Sequence, residues 1–180
     1  MSARHERPPF IKHWREIQDE EAWSYPASDE LHSIGSAFGR AFGLARIGIH
    51  HELLPPGRRL SYPHAESTED EFVYVLEGTV DAWIDGELHR LEPGDAVGFP
   101  AGTGICHTFI NDSDQPARLL VVGDRTRPDN QLVYPLNPER KSQIGERWWS
   151  DAPARELGPH DGLPAARRRA REGGPAGDPG

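Results

Sequence analysis

The sequence predicts an all-β protein, either a small barrel or a double-sheet jelly roll, with short peripheral helical segments. Between Ala45 and Val122, short runs rich in Val, Ile, Leu, Phe and Tyr are separated by turn signals about every eight to twelve residues. The chain also contains 19 Gly and 17 Pro in 180 residues. This content of turn formers argues against a helical bundle.

The turns that separate the strands can be assigned in order. Leu-Pro-Pro-Gly at 54–57 ends a strand that begins near Ala45. The pair Asp85-Gly86 predicts a two-residue hairpin, because both central residues of such a turn must tolerate positive φ. Further strands are predicted at residues 72–76, 80–84, 96–99, 105–110 and 118–122. Roughly seven or eight strands in this length suit a small barrel or jelly roll.

The length favours one domain with a single core. Its predicted parts are an N-terminal peripheral segment (1–44), the barrel (45–124), a segment wrapped over the outer surface (125–160) and a disordered tail (161–180). The tail contains eight Gly or Pro and few apolar residues, too little to offset the entropy of ordering it. In the N-terminal segment, a short helix is predicted around 11–23 and His32 is expected at the surface.

Charge and composition restrict the partners and the location. Twenty Lys and Arg against 29 Asp and Glu give a net charge of −9, which disfavours binding to nucleic acid or to an anionic membrane. No stretch approaches the roughly 18 to 20 apolar residues of a membrane-spanning helix. The first residues lack the apolar core of a signal peptide, and Cys106 has no partner for an internal disulfide, so a cytoplasmic location is expected. The expected partners are small molecules, metal ions and copies of the chain itself.

A cluster of potential metal ligands is distributed over three predicted strands. The period of two in a strand places Tyr62, His64 and Glu66 on one face. Glu71 precedes the next apolar run, and His107 begins a third. Two imidazoles and one or two carboxylates on neighbouring strands can converge on one cation and leave coordination positions open. The same pattern also fits a polar cluster at a barrel mouth that holds no metal.

The order and spacing of these residues resemble the two signature motifs of the cupin superfamily. The first motif is matched by Gly57, His64, Glu66, Glu71 and Gly78, and the second by Gly94, Pro100, Gly102, His107 and Asn111. Glu66 stands where the family usually has a second His, and the second motif contains two extra residues before its His. The resemblance covers about residues 45–122 and implies a β-barrel open at one end.

By this resemblance, the metal positions are His64, Glu66, Glu71 and His107. Two nitrogen and two oxygen donors suit one divalent ion such as Mn, Fe, Ni or Zn. If Glu66 turns away, the other three still form a two-His, one-carboxylate triad with up to three positions for water, substrate or oxygen. The resemblance further implies a homodimer as the commonest assembly.

Residues near the predicted ligands are expected to shape the pocket. Tyr62 shares a strand face with the first predicted histidine ligand, and Phe109 shares one with the second, so both are predicted to line the pocket. Cys106 should face away from the site as an inert buried thiol. His50 and His51 are adjacent, so only one of them can face the interior.

The resemblance leaves the reaction open, because one scaffold in this superfamily carries many functions. The first hypothesis is an enzyme that uses one divalent metal on a small organic acid or sugar-like substrate, as an oxygenase, an isomerase or a lyase. The alternative is a non-catalytic module that binds or senses a small molecule. A third hypothesis is a metal-free barrel in which the polar cluster only fixes structure.

Overall fold

The computed structural model describes residues 7–125 and 127–172, and its architecture is mostly β. The strands are β1 (Ile34–Ala37), β2 (Ile47–Leu54), β3 (Arg58–Arg59), β4 (Ala65–Glu66), β5 (Glu71–Glu77), β6 (Val80–Ile84), β7 (Glu87–Leu91), β8 (Ala96–Phe99), β9 (His107–Asn111), β10 (Ala117–Asp124) and β11 (Leu132–Val133). The helices are α1 (Phe38–Ala41), α2 (Arg140–Ile144) and α3 (Ala165–Glu172), with 3-10 turns at Trp14–Glu16 and Gly145–Arg147. Within the described residues, no helix combines the length and apolar character needed to cross a membrane.

Two antiparallel sheets form the body of the molecule. One has five strands in the order β1-β2-β10-β5-β8, and the other has four in the order β3-β9-β6-β7. Strands β11 and β4 form a separate pair. Distant parts of the chain are neighbours in both sheets, as expected for a jelly roll rather than a meander of consecutive hairpins. The predicted all-β class is confirmed.

The hydrophobic core lies between the two larger sheets. Its buried members are Leu54, Leu60, Val73, Val75, Val80, Ala82, Phe99, Phe109, Ala117 and Leu119. Alternation in β5 buries Val73 and Val75 completely and leaves Phe72 and Leu76 exposed on the outer face. The polar residues Glu71 and His107 begin β5 and β9, so they lie at one end of this core.

The hairpin between β6 and β7 has the predicted turn. Ile84 pairs with Glu87, and the intervening Asp85 and Gly86 have φ angles of 46° and 92°. Positive φ at both central residues matches the right-handed twist of the flanking strands. The backbone of Gly158 lies directly against Gly86, which leaves no room for a side chain there.

The outer face of the four-stranded sheet is covered by the C-terminal part of the chain. Trp83, Cys106 and Ile110 pack with Trp149 in a second apolar cluster. The indole N–H of Trp83 donates to the carbonyl oxygen of His160 at 2.8 Å. These contacts hold the sheet that carries His107 and so support the site indirectly.

Both ends of the described chain differ from the expectations drawn from sequence. Instead of a helix around 11–23, the N-terminal part forms one 3-10 turn, because Gln18, two residues after that turn, makes a β-bridge with Ser36. Strand β1 lies within the segment predicted as peripheral, yet it pairs with β2 and extends the larger sheet.

The expectation of disorder is wrong for residues 161–172. Leu163 is buried, the carbonyl oxygen of Gly162 accepts from Arg59 Nη1 at 2.8 Å, and α3 follows. Composition does not predict this ordered segment, because the segment is held by contacts with distant parts of the chain rather than by its own apolar content. Residues 173–180 lie outside the described residues.

Candidate metal centre

Three of the four predicted metal ligands come together at one end of the core. His64, Glu71 and His107 each offer a ligand atom, and these atoms all lie within 4.8 Å of one another. Backbone hydrogen bonds in both directions join the two histidines, at 3.2 Å and 2.9 Å. The resulting β-bridge places their rings 5.1 Å apart, so residues 43 positions apart in sequence share one site.

Backbone carbonyl groups set the tautomer of both histidines. Nδ1 of His64 lies 2.8 Å from the carbonyl oxygen of Tyr62, and Nδ1 of His107 lies 3.2 Å from that of Ile105. A carbonyl oxygen only accepts, so each Nδ1 carries a proton and each Nε2 is the ring atom that can bind a metal ion or a second proton. Metal-binding histidines are usually oriented by this kind of contact.

The contact between His107 and Glu71 requires a positive charge between the two groups. Nε2 of His107 lies 3.2 Å from Oε1 of Glu71. With its Nδ1 protonated, His107 presents a lone pair to a carboxylate, and these two acceptors repel unless a proton or a cation lies between them. Phe99 stacks on the ring of His107 at a centroid distance of 3.6 Å and holds the ring in this plane. The donor set therefore fits a divalent cation.

The electrostatics of the cluster also favour cation binding. Burial tends to raise the pKa of Glu71, but the hydrogen bond and charge of His107, together with His64, hold that pKa below its usual range. Burial, followed by the charge of His107, lowers the pKa of His64 to about 4. At neutral pH Glu71 is thus ionised and His64 neutral, the protonation states that metal ligands require.

A cavity of about 380 Å³ lies beside the cluster. His64 and Glu71 contribute to its wall, together with Trp23, Tyr25, His50 and Glu52. Its polar and aromatic walls and its position next to the three ligands make it suitable for a small organic molecule.

Comparisons with known proteins agree with this fold. The model of the cupin domain family matches residues 50–123. A sugar phosphate isomerase of Silicibacter pomeroyi, described as from a cupin superfamily, is 35% identical with a TM-score of 0.61, and the match covers 69% of this chain and 81% of that one. The chain belongs to the cupin superfamily. The structure thus has the fold that both sequence motifs indicate.

Other cupin relatives match in fold or over a shorter region. The polyketide cyclase RemF of Streptomyces resistomycificus shares the fold, with 21% identity, a TM-score of 0.58 and coverage of 77% of this chain and 94% of that one. The polyketide synthase CurC of Streptomyces cyaneus is 34% identical over 68 residues, which are 38% of this chain. Pirin of Mus musculus is 32% identical over 90 residues, or 49% of this chain. The match spans only 42% of CurC and 30% of pirin.

Glu66, which occupies the usual position of a cupin histidine, lies outside the group of three ligands. Its side chain lines a neighbouring cavity of about 200 Å³ together with Glu69 and Glu71. Burial and then the charges of those two carboxylates raise the pKa of Glu66 to about 8. Glu66 is therefore mostly protonated at neutral pH when no cation lies nearby, and it is not part of the group of three ligand atoms.

The two residues predicted to line the pocket lie elsewhere in the cupin barrel. The ring of Tyr62 stacks on Tyr25 at 4.1 Å, and its hydroxyl donates to Ser28 Oγ at 2.8 Å, so it lines a different cavity. Phe109 is fully buried in the core and packs edge-on against Phe99. The alternation of side chains along a strand correctly predicts that Phe109 faces inward, but it does not predict how far from the open end of the barrel the ring lies.

Sequence reasoning missed Glu52 and part of the aromatic wall. Glu52 shares a face of β2 with His50, whereas His51 points outward and stacks on Trp14 at 4.7 Å. The alternation that placed one of the two adjacent histidines inside could have found Glu52 as well. Tyr25 comes from the N-terminal segment, where no periodic pattern indicates that it reaches the barrel mouth.

Two further expectations have opposite outcomes. His32, predicted at the surface, is fully buried, stacks on Trp23 and lies with Nδ1 3.0 Å from the carbonyl oxygen of Arg59. Its burial lowers its pKa to about 4, so it is a neutral core residue. Cys106 is buried away from the site as predicted, and burial raises its pKa to about 12.

Proposed function

We propose that this cupin is a divalent-metal-dependent isomerase that moves a carbonyl group along a small polyhydroxylated substrate such as a sugar phosphate. The observation that carries the proposal is the juxtaposition of His64, Glu71 and His107 with an adjacent cavity of about 380 Å³. The 35% identity to a protein described as a sugar phosphate isomerase supports the choice among oxygenase, isomerase and lyase.

His64, Glu71 and His107 would hold the metal through the two Nε2 atoms and the carboxylate. One ion of Mn, Fe, Ni or Zn bound there would act as a Lewis acid toward substrate oxygens. Three protein ligands leave coordination positions for two neighbouring oxygens of a hydroxy-carbonyl compound.

His50 and Glu52 supply a proton-transfer pair on the wall of the same cavity. Nδ1 of His50 lies 3.7 Å from Oε1 of Glu52. The Glu52 side chain is only 12% exposed, and its buried Oε2 has no hydrogen-bond partner within the described residues. Burial, followed by the charge of Arg40, lowers the pKa of His50, so its imidazole is neutral at neutral pH and can accept a proton.

The proposed reaction needs only proton movements. His50 removes the proton from the carbon next to the substrate carbonyl, and the C–H electron pair becomes the C=C bond of an enediol. Glu52, whose pKa burial raises to about 7, gives its proton to the carbonyl oxygen, and its carboxylate then offsets the charge of the protonated His50. The proton on His50 returns to the former carbonyl carbon, while the Glu52 carboxylate takes the proton of the hydroxyl on the first carbon, which becomes the new carbonyl.

The aromatic wall limits the access of water to this chemistry. Trp23 and Tyr25 contact each other edge-on at 4.8 Å and line the cavity with His50 and Glu52. Their apolar faces exclude water from one side of a bound substrate, which strengthens the electrostatic interactions on the other side.

The test joins metal content with hydrogen exchange. The untagged protein, purified without chelators, is analysed by elemental mass spectrometry and then incubated in D₂O with ribose 5-phosphate, arabinose 5-phosphate or glucose 6-phosphate. We expect about one equivalent of a divalent metal per chain. We also expect NMR to show that deuterium is incorporated next to the carbonyl of at least one of these compounds. His50→Gln and Glu52→Gln should keep the metal and lose exchange by about 100-fold or more, whereas His89→Gln, on the exposed face of β7, should keep both.

Two results would contradict the proposal. Absence of metal after incubation with Mn, Fe, Ni and Zn would favour a metal-free barrel. Full metal occupancy with tight binding of these compounds, but no exchange at carbon, would favour a non-catalytic binding module.

A further inference from the structure

A second cavity, of about 400 Å³, lies outside the barrel. Its wall is formed by residues 26–30, by residues from the 137–143 segment around α2, and by residues of α3. Its charged lining residues are Asp29, Glu30, Arg59, Glu139, Arg140, Arg167 and Arg171. Four arginines thus face three carboxylates in one cavity.

The carboxylates are already engaged by two of the arginines or by a neighbouring amide. Arg59 donates from Nε and Nη2 to the two oxygens of Glu30, at 2.7 Å and 2.8 Å. Arg167 donates to Asp29 at 2.8 Å. Oε1 of Glu139 accepts from Asn137 at 3.0 Å. The positive charges of the remaining two arginines are left without a carboxylate partner within the part of the chain that the structure describes.

Arg140 is the unusual member of this pair because it is buried. Only 7% of the residue is exposed, and its Nε is buried with no hydrogen-bond partner within the described residues. Its guanidinium lies over the rings of Tyr25 and Tyr134, at 4.6 Å and 5.3 Å, and Nη1 contacts the amide of Gln143. Burying a guanidinium without an anionic partner is costly, and ring faces compensate only part of that cost.

An aromatic layer separates this cavity from the one beside the metal ligands. Tyr25 lines the barrel cavity, and Tyr62, stacked on it at 4.1 Å, lines the outer one. Tyr134 meets Tyr25 edge-on at 6.1 Å and extends the layer toward His64. A ligand in the outer cavity therefore occupies a site distinct from the proposed substrate site.

We propose that the outer cavity binds a phosphate group, either as the free ion or as part of a small phosphate monoester, and that Arg140 is its central ligand. Arg140 lines the cavity and its guanidinium has donors to spare, so it can donate a charge-assisted hydrogen bond to an oxyanion bound there. Arg171, exposed at the rim, adds the second charge that favours a dianion over a single carboxylate. This inference does not depend on the proposed isomerase activity.

The test measures binding of inorganic phosphate to the full chain by calorimetry and follows the Arg140 Nε–H resonance by NMR. We expect phosphate to bind and to shift that resonance. Arg140→Gln should weaken phosphate binding by about tenfold or more, because a charge-assisted contact is lost. Arg171→Gln should weaken it several-fold. Arg169→Gln, an exposed arginine of α3 that does not line the cavity, should bind as the unaltered chain does.

Further measurements distinguish this site from the metal centre and from a general anion site. His64→Ala should still bind phosphate, since the proposed metal ligands do not take part. Ribose 5-phosphate and methyl phosphate should compete with phosphate if the cavity takes monoesters, and failure of both would restrict the site to the free ion.

Acetate that binds as tightly as phosphate would overturn the choice of a phosphate group. Equal binding by Arg140→Gln, Arg171→Gln and the unaltered chain, or loss of binding in His64→Ala, would overturn the site itself.

Discussion

At the scale of single residues, the two carbonyl contacts to histidine Nδ1 atoms decide what the centre can bind. They leave Nε2 of His64 and of His107 as the ring atoms near Glu71, where a divalent cation, or a proton on His107, can join the imidazoles to the carboxylate. Glu66 differs because its burial, followed by the charges of neighbouring carboxylates, raises its pKa and favours the protonated form. Residues of the same type, five positions apart in sequence, therefore differ in charge.

This difference predicts opposite effects of two Glu-to-Gln substitutions. Glu71→Gln should reduce bound metal to about a tenth of the original or less, because a neutral amide replaces the only ionised ligand of the three. Glu66→Gln should retain most of the metal. Titration with Mn or Zn followed by elemental mass spectrometry checks both, with Glu92→Gln in an exposed turn as a control. Equal losses in Glu66→Gln and Glu71→Gln would restore Glu66 to the ligand set.

Glu52 gives a prediction for the pH dependence of stability. Burial raises its pKa from 4.5 to about 7. Between these values the folded protein holds a proton that the unfolded chain has released, so the contribution of Glu52 to the free energy of unfolding falls as pH rises from about 5 to 8. Glu52→Gln should remove this pH-dependent loss. Between pH 5 and pH 8, the free energy of unfolding of the variant should therefore rise by about 2 kcal/mol relative to that of the unaltered chain. Urea unfolding with chelator at pH 5 and pH 8 measures it, and an unchanged difference between the two proteins would show that Glu52 is ordinarily solvated.

At the scale of elements, the β6–β7 hairpin depends on both local conformation and a tertiary contact. Asp85 and Gly86 adopt the positive φ angles that a two-residue turn requires. The same turn receives the C-terminal segment, because Gly158 N donates to the carbonyl oxygen of Asp85 at 2.7 Å. A glycine is therefore needed at position 86 for two reasons.

Two Gly-to-Ala substitutions separate these reasons. A Cβ on Gly86 would lie 2.6 Å from Cα of Gly158, whereas a Cβ on Gly94, whose φ is 104°, would meet open space. Gly94→Ala should lower the free energy of unfolding by roughly 1–2 kcal/mol through backbone strain alone. Gly86→Ala should lower it by about 1–2 kcal/mol more, because the backbone around Gly158 must also move. Chemical denaturation of both variants tests this, and equal losses would mean that the C-terminal segment does not press on the turn.

At the scale of the whole molecule, segments far apart in sequence enclose the site and its surroundings. Residues around Tyr25 form part of the cavity wall, and residues 157–164 lie against the outer side of the four-stranded sheet. The barrel is thus stabilised from both ends of the chain. A homodimer and a cytoplasmic location stay predictions, the first of which sedimentation equilibrium would test.

A matched pair of leucines measures the contribution of the C-terminal segment. Leu163 is buried against the body, whereas Leu88 on β7 is 40% exposed. Leu163→Ala should lower the free energy of unfolding by about 2–3 kcal/mol, and Leu88→Ala by less than about 1 kcal/mol. Thermal and urea unfolding give both values. A loss below about 1 kcal/mol in Leu163→Ala would indicate that this segment adds little to the fold.

The sequence predicted much of the barrel because its signals are local. Alternation of apolar residues, the Asp85-Gly86 turn and the spacing of the motif residues depend on neighbours within a few positions. For the same reason it could nominate His64, Glu71 and His107, each of which begins or adjoins a strand. The pairing of β1 with β2 and the order of residues 161–172 depend on distant partners and were missed.

The sequence by itself determined the all-β class, the cupin motifs and the candidate ligands, since these rest on residue type and spacing. Only the tertiary structure decided which carboxylate joins the two histidines, that His50 and Glu52 share their cavity, and that Arg140 is buried without an acidic partner among the described residues. Strand parity gives the face of a sheet on which a side chain lies, but not its depth, its neighbours or its charge. Those properties follow from burial and Coulomb interactions between segments that only folding brings together.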